Sequence, residues 1–259
     1  MKFLIVISFL ILGMAMQAKA KIHTESVGYK DGNSPLEGYL AYDDSIQGVR
    51  PGIIVVHEYW GLVDYTKMRT EQLAKLGYIS FAIDMYGKGV LPKNSDEAAA
   101  QSKIYYSDRQ LMRRRALAGL EEFKKNKLVD PNKIVAIGYC FGGGVALEMG
   151  RAGYPIVGIV SFHGNLSNPN PDDAKNIRGK VLACAGGSDP FVNRQAREAF
   201  EDEMTKAGVD WRMNVYGDAV HAFTNPAAGN DPSKGAAYNE KADKRSWQAM
   251  LDFFNEVFK

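Results

Sequence analysis

Short apolar runs alternate with segments of helical periodicity over most of the chain. An uninterrupted apolar run is typical of a strand that is covered on both faces of a parallel sheet. Near the N-terminus, apolar and polar residues instead alternate on either side of Asp31–Pro35, which predicts an antiparallel hairpin at the sheet edge. The predicted strands are Ile22–Tyr29, Leu36–Tyr42, Ile53–Val56, Tyr78–Ile83, Ile134–Ile137, Ile156–Phe162, Val181–Ala185 and Trp211–Tyr216.

The segments between these strands predict helices. The first is expected to end at Gly77, because glycine commonly follows the last helical turn. From Ser95 to Lys127 the pattern predicts continuous helix, capped by Ser95–Glu97. Its arginine run, Arg113–Arg115, is expected to lie on a solvated face, with a phosphate-binding patch as the alternative. The other predicted helices are Asp64–Leu76, Val145–Met149, Arg194–Ala207 and Tyr238–Phe258.

Alternating strands and helices predict an α/β fold: a mainly parallel central sheet with helices on both faces and an antiparallel N-terminal hairpin. Residues 1–20 have the features of a secretory signal peptide, with a basic Lys2, an apolar core and an Ala18-Lys19-Ala20 cleavage site. We therefore expect residues 21–259 to form a single domain that is periplasmic or secreted, without stable membrane association. An uncleaved N-terminal anchor is the alternative.

Charge and cysteine content narrow the function classes. A formal net charge of +2 gives no indication of a nucleic-acid or anionic-membrane partner. The two cysteines, Cys140 and Cys184, form an even count, which often indicates a disulfide in an exported chain. Cys184 lies inside the apolar strand Val181–Ala185, however, so we expect it to be a buried core residue and both thiols to be free.

One cysteine lies at a sharp turn between a predicted strand and a helix. The sequence Gly138-Tyr139-Cys140-Phe141-Gly142 is the nucleophile-elbow pattern G-x-S-x-G with a thiol in place of the hydroxyl. Such a turn strains the central residue, and only small neighbours leave room for the chain to double back. The helix dipole would favour a thiolate there, and the Phe141 amide could donate to an oxyanion. The alternative is a glycine-rich turn with an incidental cysteine.

Two residues after later strands could serve this thiol. Asp189 and His221 follow Cys140 in the order nucleophile, acid, histidine that α/β-hydrolases use. We expect His221 to be the base and Asp189 to orient it. His163 also follows a strand but precedes the acid, so we expect it to be dispensable. His23, in the hairpin, is expected at the surface.

Four motifs together resemble the dienelactone hydrolase family, a cysteine-nucleophile branch of the α/β-hydrolase fold. They are HEYWG at 57–61, GYCFGG at 138–143, GSD at 187–189 and HAF at 221–223. The resemblance spans nearly all of the chain after the signal segment. It implies an α/β-hydrolase fold and a hydrolase of esters or lactones.

The resemblance also implies residue roles. Cys140 would be the nucleophile, His221 the base and Asp189 the orienting acid, while the amides of Tyr59 and Phe141 would stabilise the oxyanion. In the family, the glutamate that matches Glu58 contacts the resting thiol and helps to deprotonate it when substrate displaces the side chain.

The substrate-binding positions depart from the family pattern. Well-characterised members hold the dienelactone carboxylate with two arginines, where this chain has Lys88 and Asn225. Lysine keeps the charge without the bidentate fork, and asparagine loses the charge. We therefore expect neutral esters to be preferred. Aromatic residues expected at an apolar entrance, some of them with a packing role only, are Tyr59, Trp60, Tyr86, Tyr139 and Phe223.

These observations predict a hydrolase of carboxylic esters or lactones that acts on a small molecule through a Cys-His-Asp triad and a thioester. No metal or cofactor is expected, because neither H-E-x-x-H nor paired-cysteine spacing occurs. One alternative is a thiol redox or binding protein on the same fold, with Cys140 and Cys184 both reactive. Another is an α/β-hydrolase peptidase. The sequence leaves the choice between monomer and small homo-oligomer open.

Overall fold

The computed structural model describes residues 21–259, so the predicted signal peptide lies outside the described residues. The strands are β1 (Ile22–Asp31), β2 (Ser34–Asp43), β3 (Arg50–Val56), β4 (Ile79–Ile83), β5 (Val129–Tyr139), β6 (Gly158–Phe162), β7 (Lys180–Gly186) and β8 (Trp211–Tyr216). The helices are α1 (Asp64–Lys75), α2 (Ser95–Ser107), α3 (Arg109–Lys124), α4 (Phe141–Arg151), α5 (Arg194–Lys206) and α6 (Glu240–Val257). Within these described residues no helix has the length and apolar character needed to cross a membrane.

The strands of the described chain form one sheet in the order β1-β2-β4-β3-β5-β6-β7-β8. β1 and β2 form the antiparallel hairpin, and β2 pairs antiparallel with β4. Strands β3 to β8 all run parallel to one another. The predicted α/β fold is therefore confirmed. Because the parallel strands share one direction, the loops at their carboxyl ends gather along one edge of the sheet, where ligand sites of this fold class lie.

The apolar strands are covered on both faces, as their lack of alternation predicts. In β3, Ile54 and Val56 pack into the core beneath α3 and α4, while Ile53 and Val55 pack into the core beneath α1 and α6. Successive side chains of a strand point to opposite faces, so a strand between two cores has no polar position. This layering holds the carboxyl ends of β3 and β5 rigidly at the loop edge.

The helix predicted from Ser95 to Lys127 is wrong in one respect, because two helices, α2 and α3, occupy that range. They meet at Asp108, whose carboxylate accepts a hydrogen bond from the Leu111 amide at 2.9 Å and caps α3. An aspartate side chain that bonds the backbone competes with helix continuation. The cap of α2 is also one residue earlier than predicted, since the Asn94 side chain accepts from the Glu97 amide at 2.9 Å.

The arginine run of α3 does not form a solvated face. Arg113 pairs with the buried Glu148 at 2.7 Å, and Arg115 pairs with Asp31 at 3.1 Å. Only Arg114 is mainly exposed, with 59% of its side chain accessible. The run therefore joins α3 to α4 and to the hairpin. Its guanidinium groups are engaged by carboxylates, so the phosphate-patch alternative has no support.

Candidate active site

Cys140 occupies the turn between β5 and α4 in a strained backbone conformation, with φ 54° and ψ −116°. The strain that the elbow motif predicts is therefore present. A Cβ on Gly138 would lie 2.0 Å from the Gly142 carbonyl oxygen, and one on Gly142 would lie 2.2 Å from the Val56 carbonyl oxygen. Both glycines are needed because the backbone crosses itself and β3 at these points.

The structure brings the three predicted triad residues together in one hydrogen-bonded chain. His221 Nε2 lies 3.1 Å from Cys140 Sγ, and His221 Nδ1 lies 2.9 Å from Asp189 Oδ2. The other carboxylate oxygen of Asp189 accepts from the amides of Phe191 and Val192 at 2.8 and 3.1 Å. The turn after β7 thus holds the buried carboxylate in place and leaves one oxygen free to orient the imidazole.

The surroundings of His221 favour its protonated form. Burial alone would lower the pKa of His221, but the negative charge of Cys140 and the hydrogen bond to Asp189 outweigh it and raise the pKa to about 10. The imidazole is therefore ready to hold a proton at neutral pH. A thiolate–imidazolium pair is the reactive form of a cysteine nucleophile.

Two backbone amides near the thiol have no protein acceptor among residues 21–259. Phe141 is the first residue of α4, where an amide lacks an intrahelical partner. Tyr59 follows β3 and lines the cavity that contains Cys140. Its loop is held by His57, whose Nε2 accepts from the Met85 amide at 3.2 Å and whose Nδ1 therefore donates to the Glu58 carbonyl at 2.6 Å. The Tyr59 and Phe141 amides are available to a ligand.

The hydrogen bonds of Glu58 differ from what the family resemblance implies. The buried Glu58 carboxylate accepts from Asn225 Nδ2 at 2.6 Å, whereas the Cys140 thiol is bonded to His221. Burial raises the pKa of Glu58 to about 7, against the lowering effects of Asn225 and of the His221 charge. Glu58 and Cys140 nevertheless line the same cavity, so the carboxyl can change charge within that cavity near neutral pH.

A cavity of about 810 Å³ opens above the thiol. Its volume is in the range of small-molecule sites. Trp60, Tyr59 and Asn225 line it, as the sequence predicts. Phe191 and Tyr65, which were not predicted, also line it. Phe191 could have been identified from the sequence, because it directly follows the Asp189-Pro190 turn. In the structure it is 68% exposed. The lining is mainly apolar.

Two predicted substrate-binding residues lie elsewhere. Lys88 is exposed, pairs with Glu37 at 2.8 Å and does not line the cavity. Phe223 is fully buried and packs edge-on against His163 at 5.0 Å between ring centroids. Neither side chain therefore lies at the cavity, where the sequence predicts both. The reason for Phe223 is Ala222, whose φ of 56° turns the chain inward directly after His221. Two further residues predicted at the entrance, Tyr86 and Tyr139, are core residues.

His163, the remaining histidine at the loop edge, makes two contacts that the sequence does not predict. It is buried, and its two ring nitrogens contact the Cys140 amide at 3.1 Å and the Thr224 hydroxyl at 2.7 Å. The order of residues along the chain carried no information about these contacts. His23 lies at the edge hairpin with 42% of its side chain exposed, as expected.

The second cysteine is in an environment that suppresses its reactivity. Both thiols are free, and Cys184 is buried in β7, where burial raises its pKa to about 12. The thiolate is the reactive species in thiol exchange. The redox alternative, which requires both cysteines to react, is therefore unfavourable. The part of the chain from residue 21 onward contains no cluster of side chains suited to a metal ion.

Comparison with known proteins places the chain in a family. The model of the dienelactone hydrolase family matches residues 36–258. Protein usf of Aquifex pyrophilus is 28% identical over 240 residues, which cover 90% of this chain and 98% of that protein. A protein of Aquifex aeolicus with the provisional name carboxymethylenebutenolidase is 26% identical over 241 residues, covering 91% and 99% of the two chains.

Solved structures agree with this placement. A dienelactone hydrolase-like promiscuous phosphotriesterase from metagenomic libraries is 39% identical, with a TM-score of 0.88 over 92% of this chain and 99% of that one. The acylaminoacyl peptidase of Pyrococcus horikoshii, at 16% identity and a TM-score of 0.69, covers 92% of this chain but is matched over only 42% of its own length, and shows the fold alone. The chain therefore belongs to the dienelactone hydrolase family of the α/β-hydrolase fold and is a hydrolase of esters or lactones.

Proposed function

We propose that this protein hydrolyses carboxylic esters or lactones through a Cys140–His221–Asp189 triad and a thioester acyl-enzyme. The observation that carries the proposal is the unbroken hydrogen-bonded chain from Asp189 through His221 to Cys140, with distances of 2.9 and 3.1 Å, at a strained elbow that opens into the cavity. We further propose that the protein is exported by its N-terminal segment and acts in the periplasm or outside the cell.

The geometry supports a two-step reaction. The Cys140 thiolate attacks the carbonyl carbon, and the Tyr59 and Phe141 amides stabilise the oxyanion of the tetrahedral intermediate. Collapse of this intermediate breaks the ester bond, and the imidazolium of His221 donates its proton to the departing alkoxide. His221 then takes a proton from water, and the resulting hydroxide attacks the thioester to release the carboxylic acid and restore the thiolate.

Trapping the acyl-enzyme tests this proposal. Acid quenching during turnover of p-nitrophenyl acetate should yield protein that carries one acetyl group on the peptide containing Cys140, and hydroxylamine should remove it because thioesters react with this nucleophile. The peptide containing the buried Cys184 serves as the internal control and should stay unmodified. An acetyl group on a serine or lysine, with Cys140 unmodified throughout turnover, would contradict the mechanism.

The cavity supports a preference for neutral substrates. Lys88 lies outside it, at position 225 an amide replaces the family's arginine, and Lys234, which does line it, is exposed and lies 3.9 Å from Asp231. We expect kcat/KM on p-nitrophenyl acetate to exceed that on cis-dienelactone by about tenfold or more, because a carboxylate that lacks the two arginine partners loses about 1.5–3 kcal/mol. Asn225→Arg should narrow this gap, whereas the neutral control Asn225→Gln should not. Preference of the wild type for the dienelactone would refute this assignment.

Glu58 gives a prediction for the pH dependence of thiol reactivity. Its pKa of about 7 means that the carboxyl is neutral below this pH and negative above it. A negative charge in the same buried cavity opposes a second one on Cys140. We therefore expect Glu58→Gln to be alkylated by iodoacetamide faster than wild type above about pH 7 and at the same rate below it.

The same variant should hydrolyse esters more slowly if Glu58 helps to deprotonate the thiol when substrate binds, as the family resemblance implies, because glutamine cannot take up a proton there. Asp64→Asn is the matched control, since Asp64 is an exposed carboxylate that lines the same cavity. Its alkylation profile should follow that of the wild type. Identical profiles for Glu58→Gln and wild type would remove Glu58 from the mechanism.

A neutral phosphotriester is a second candidate substrate class. It is favoured by the mainly apolar cavity and by the 39% identical relative, which is a promiscuous phosphotriesterase. Release of p-nitrophenol from diethyl p-nitrophenyl phosphate measures this activity. Loss of that release in Cys140→Ala would assign it to the same thiol, and its absence in the wild type would restrict the enzyme to carboxylic esters.

A further inference from the structure

His163 joins the backbone of Cys140 to the loop that carries His221. Its Nδ1 lies 3.1 Å from the Cys140 amide, which it shares with the Phe162 carbonyl at 3.0 Å. Its Nε2 lies 2.7 Å from the hydroxyl of Thr224, which follows His221 by three residues. A single buried ring therefore spans from the elbow to the loop after β8.

The direction of both hydrogen bonds follows from the amide. The Cys140 N–H can only donate, so Nδ1 is an acceptor and the ring proton lies on Nε2, from which it is donated to Thr224. The charged and titratable groups around the ring are His221, Arg69 and Tyr139 together with Cys140 itself. Burial, followed by the positive charges of His221 and Arg69, holds the pKa of His163 well below its ordinary value, so the ring stays neutral.

Thr224 is itself anchored from the opposite side. Its hydroxyl lies 2.7 Å from the Tyr65 hydroxyl, and its carbonyl accepts from the Arg69 guanidinium at 2.7 Å. Both partners belong to α1. Because the loop after His221 is bonded to α1 on one side and to His163 on the other, its distance from the elbow is set by these contacts rather than by the loop's own flexibility.

We propose that His163 and Thr224 are positioning residues that act as one link and set the 3.1 Å contact between His221 Nε2 and Cys140 Sγ. The inference rests on the proposed function, in which that contact carries the proton transfer. Neither side chain touches the substrate in this role. Proton transfer is sensitive to such distances, since a displacement of about 1 Å can cost about 100-fold in rate.

Three variants test the link. His163→Asn keeps an acceptor near the Cys140 amide but is too short to reach Thr224, and asparagine tolerates the left-handed backbone at this position, where φ is 40°. His163→Gln is long enough to donate to Thr224. Thr224→Val removes the hydroxyl without a large change in shape. Thr66→Val is the matched control, because the buried Thr66 hydroxyl has no hydrogen-bond partner among the described residues.

We expect His163→Asn and Thr224→Val each to lower kcat by about 10- to 100-fold with KM within about twofold, and the double variant to lose no more than the worse single variant. Both should slow alkylation of Cys140 near pH 6, because a His221 imidazolium farther from the sulfur favours the thiolate less. His163→Gln should retain more activity than His163→Asn, and Thr66→Val should resemble the wild type.

The link would be overturned if the losses of activation free energy from the two single variants added up in the double variant. It would also be overturned if folded single variants showed an unchanged rate of Cys140 alkylation near pH 6. These outcomes are distinct from failure of the proposed function. If Cys140→Ala keeps its turnover, the proposed function fails. If Cys140→Ala is inactive while the variants of His163 and Thr224 turn over at the wild-type rate, only the link fails.

Discussion

Cys140→Ala is expected to lower the rate of ester hydrolysis by about 10⁴-fold or more while leaving the fold intact, because no other group can form the thioester. The side chain lines the cavity and is only partly buried, so its truncation to alanine removes little packing. Initial rates on p-nitrophenyl acetate and a thermal unfolding curve measure the two effects. Iodoacetamide should inactivate the wild type at a rate equal to the rate of Cys140 alkylation.

Cys184→Ala provides the matched control. That thiol is buried in β7, so its loss should cost some stability and leave kcat nearly unchanged. Wild-type turnover by the alanine variant at position 140, or by fully alkylated protein, would show that the nucleophile is a different group.

The second large effect concerns Asp189 and His221, which we expect to act as a unit. Asp189→Asn and His221→Gln should each lower kcat by about 10³- to 10⁴-fold, and the double variant should lose little more than the worse single variant. The side-chain oxygen of the asparagine introduced by Asp189→Asn can still accept from the Phe191 and Val192 amides, so the turn should persist. The loss of kcat in Asp189→Asn would therefore result from the wrong tautomer of the His221 imidazole and not from a collapsed loop.

Asp218→Asn is the control for this pair. Asp218 lies in the same loop as His221 but is exposed, and it should be dispensable. The measurement is a double-mutant cycle on kcat with all variants checked for folding. Losses that simply multiply in the double variant would mean that Asp189 and His221 contribute independently.

The sequence predicted the parts of the site that depend on backbone geometry. A strand that turns directly into a helix requires glycine at positions 138 and 142, and this requirement is visible as a motif. Likewise, Asp189 and His221 follow strands whose carboxyl ends meet at one edge, so their proximity follows from the parallel sheet.

The parts that depend on side-chain direction could not be predicted. Phe223 follows His221 by two residues, but the positive φ of Ala222 sends its ring into the core. Lys88 matches the position of a substrate-binding arginine of the family, yet its side chain pairs with Glu37 on the hairpin, outside the cavity. His163 contacts the backbone of Cys140, and such contacts have no sequence signature.

The three adjacent arginines of α3 do not form one charged surface. Consecutive residues of a helix point about 100° apart, so three in a row cannot share a face. Arg113 and Arg115 accordingly turn towards carboxylates on different elements, and only Arg114 faces solvent.

The crowded backbone at the elbow means that the glycines at positions 138 and 142 are required for folding, whereas the cysteine at position 140 is required for turnover. At positions 138 and 142 any side chain would collide with main-chain oxygen atoms, so replacements there are eliminated at the level of folding. At position 140 the side chain lines the cavity, so replacements that tolerate the strained backbone should fold and yet be inactive. In a library of random variants, a screen for soluble protein alone should therefore deplete the two glycine positions, whereas depletion at position 140 should emerge only under selection for turnover.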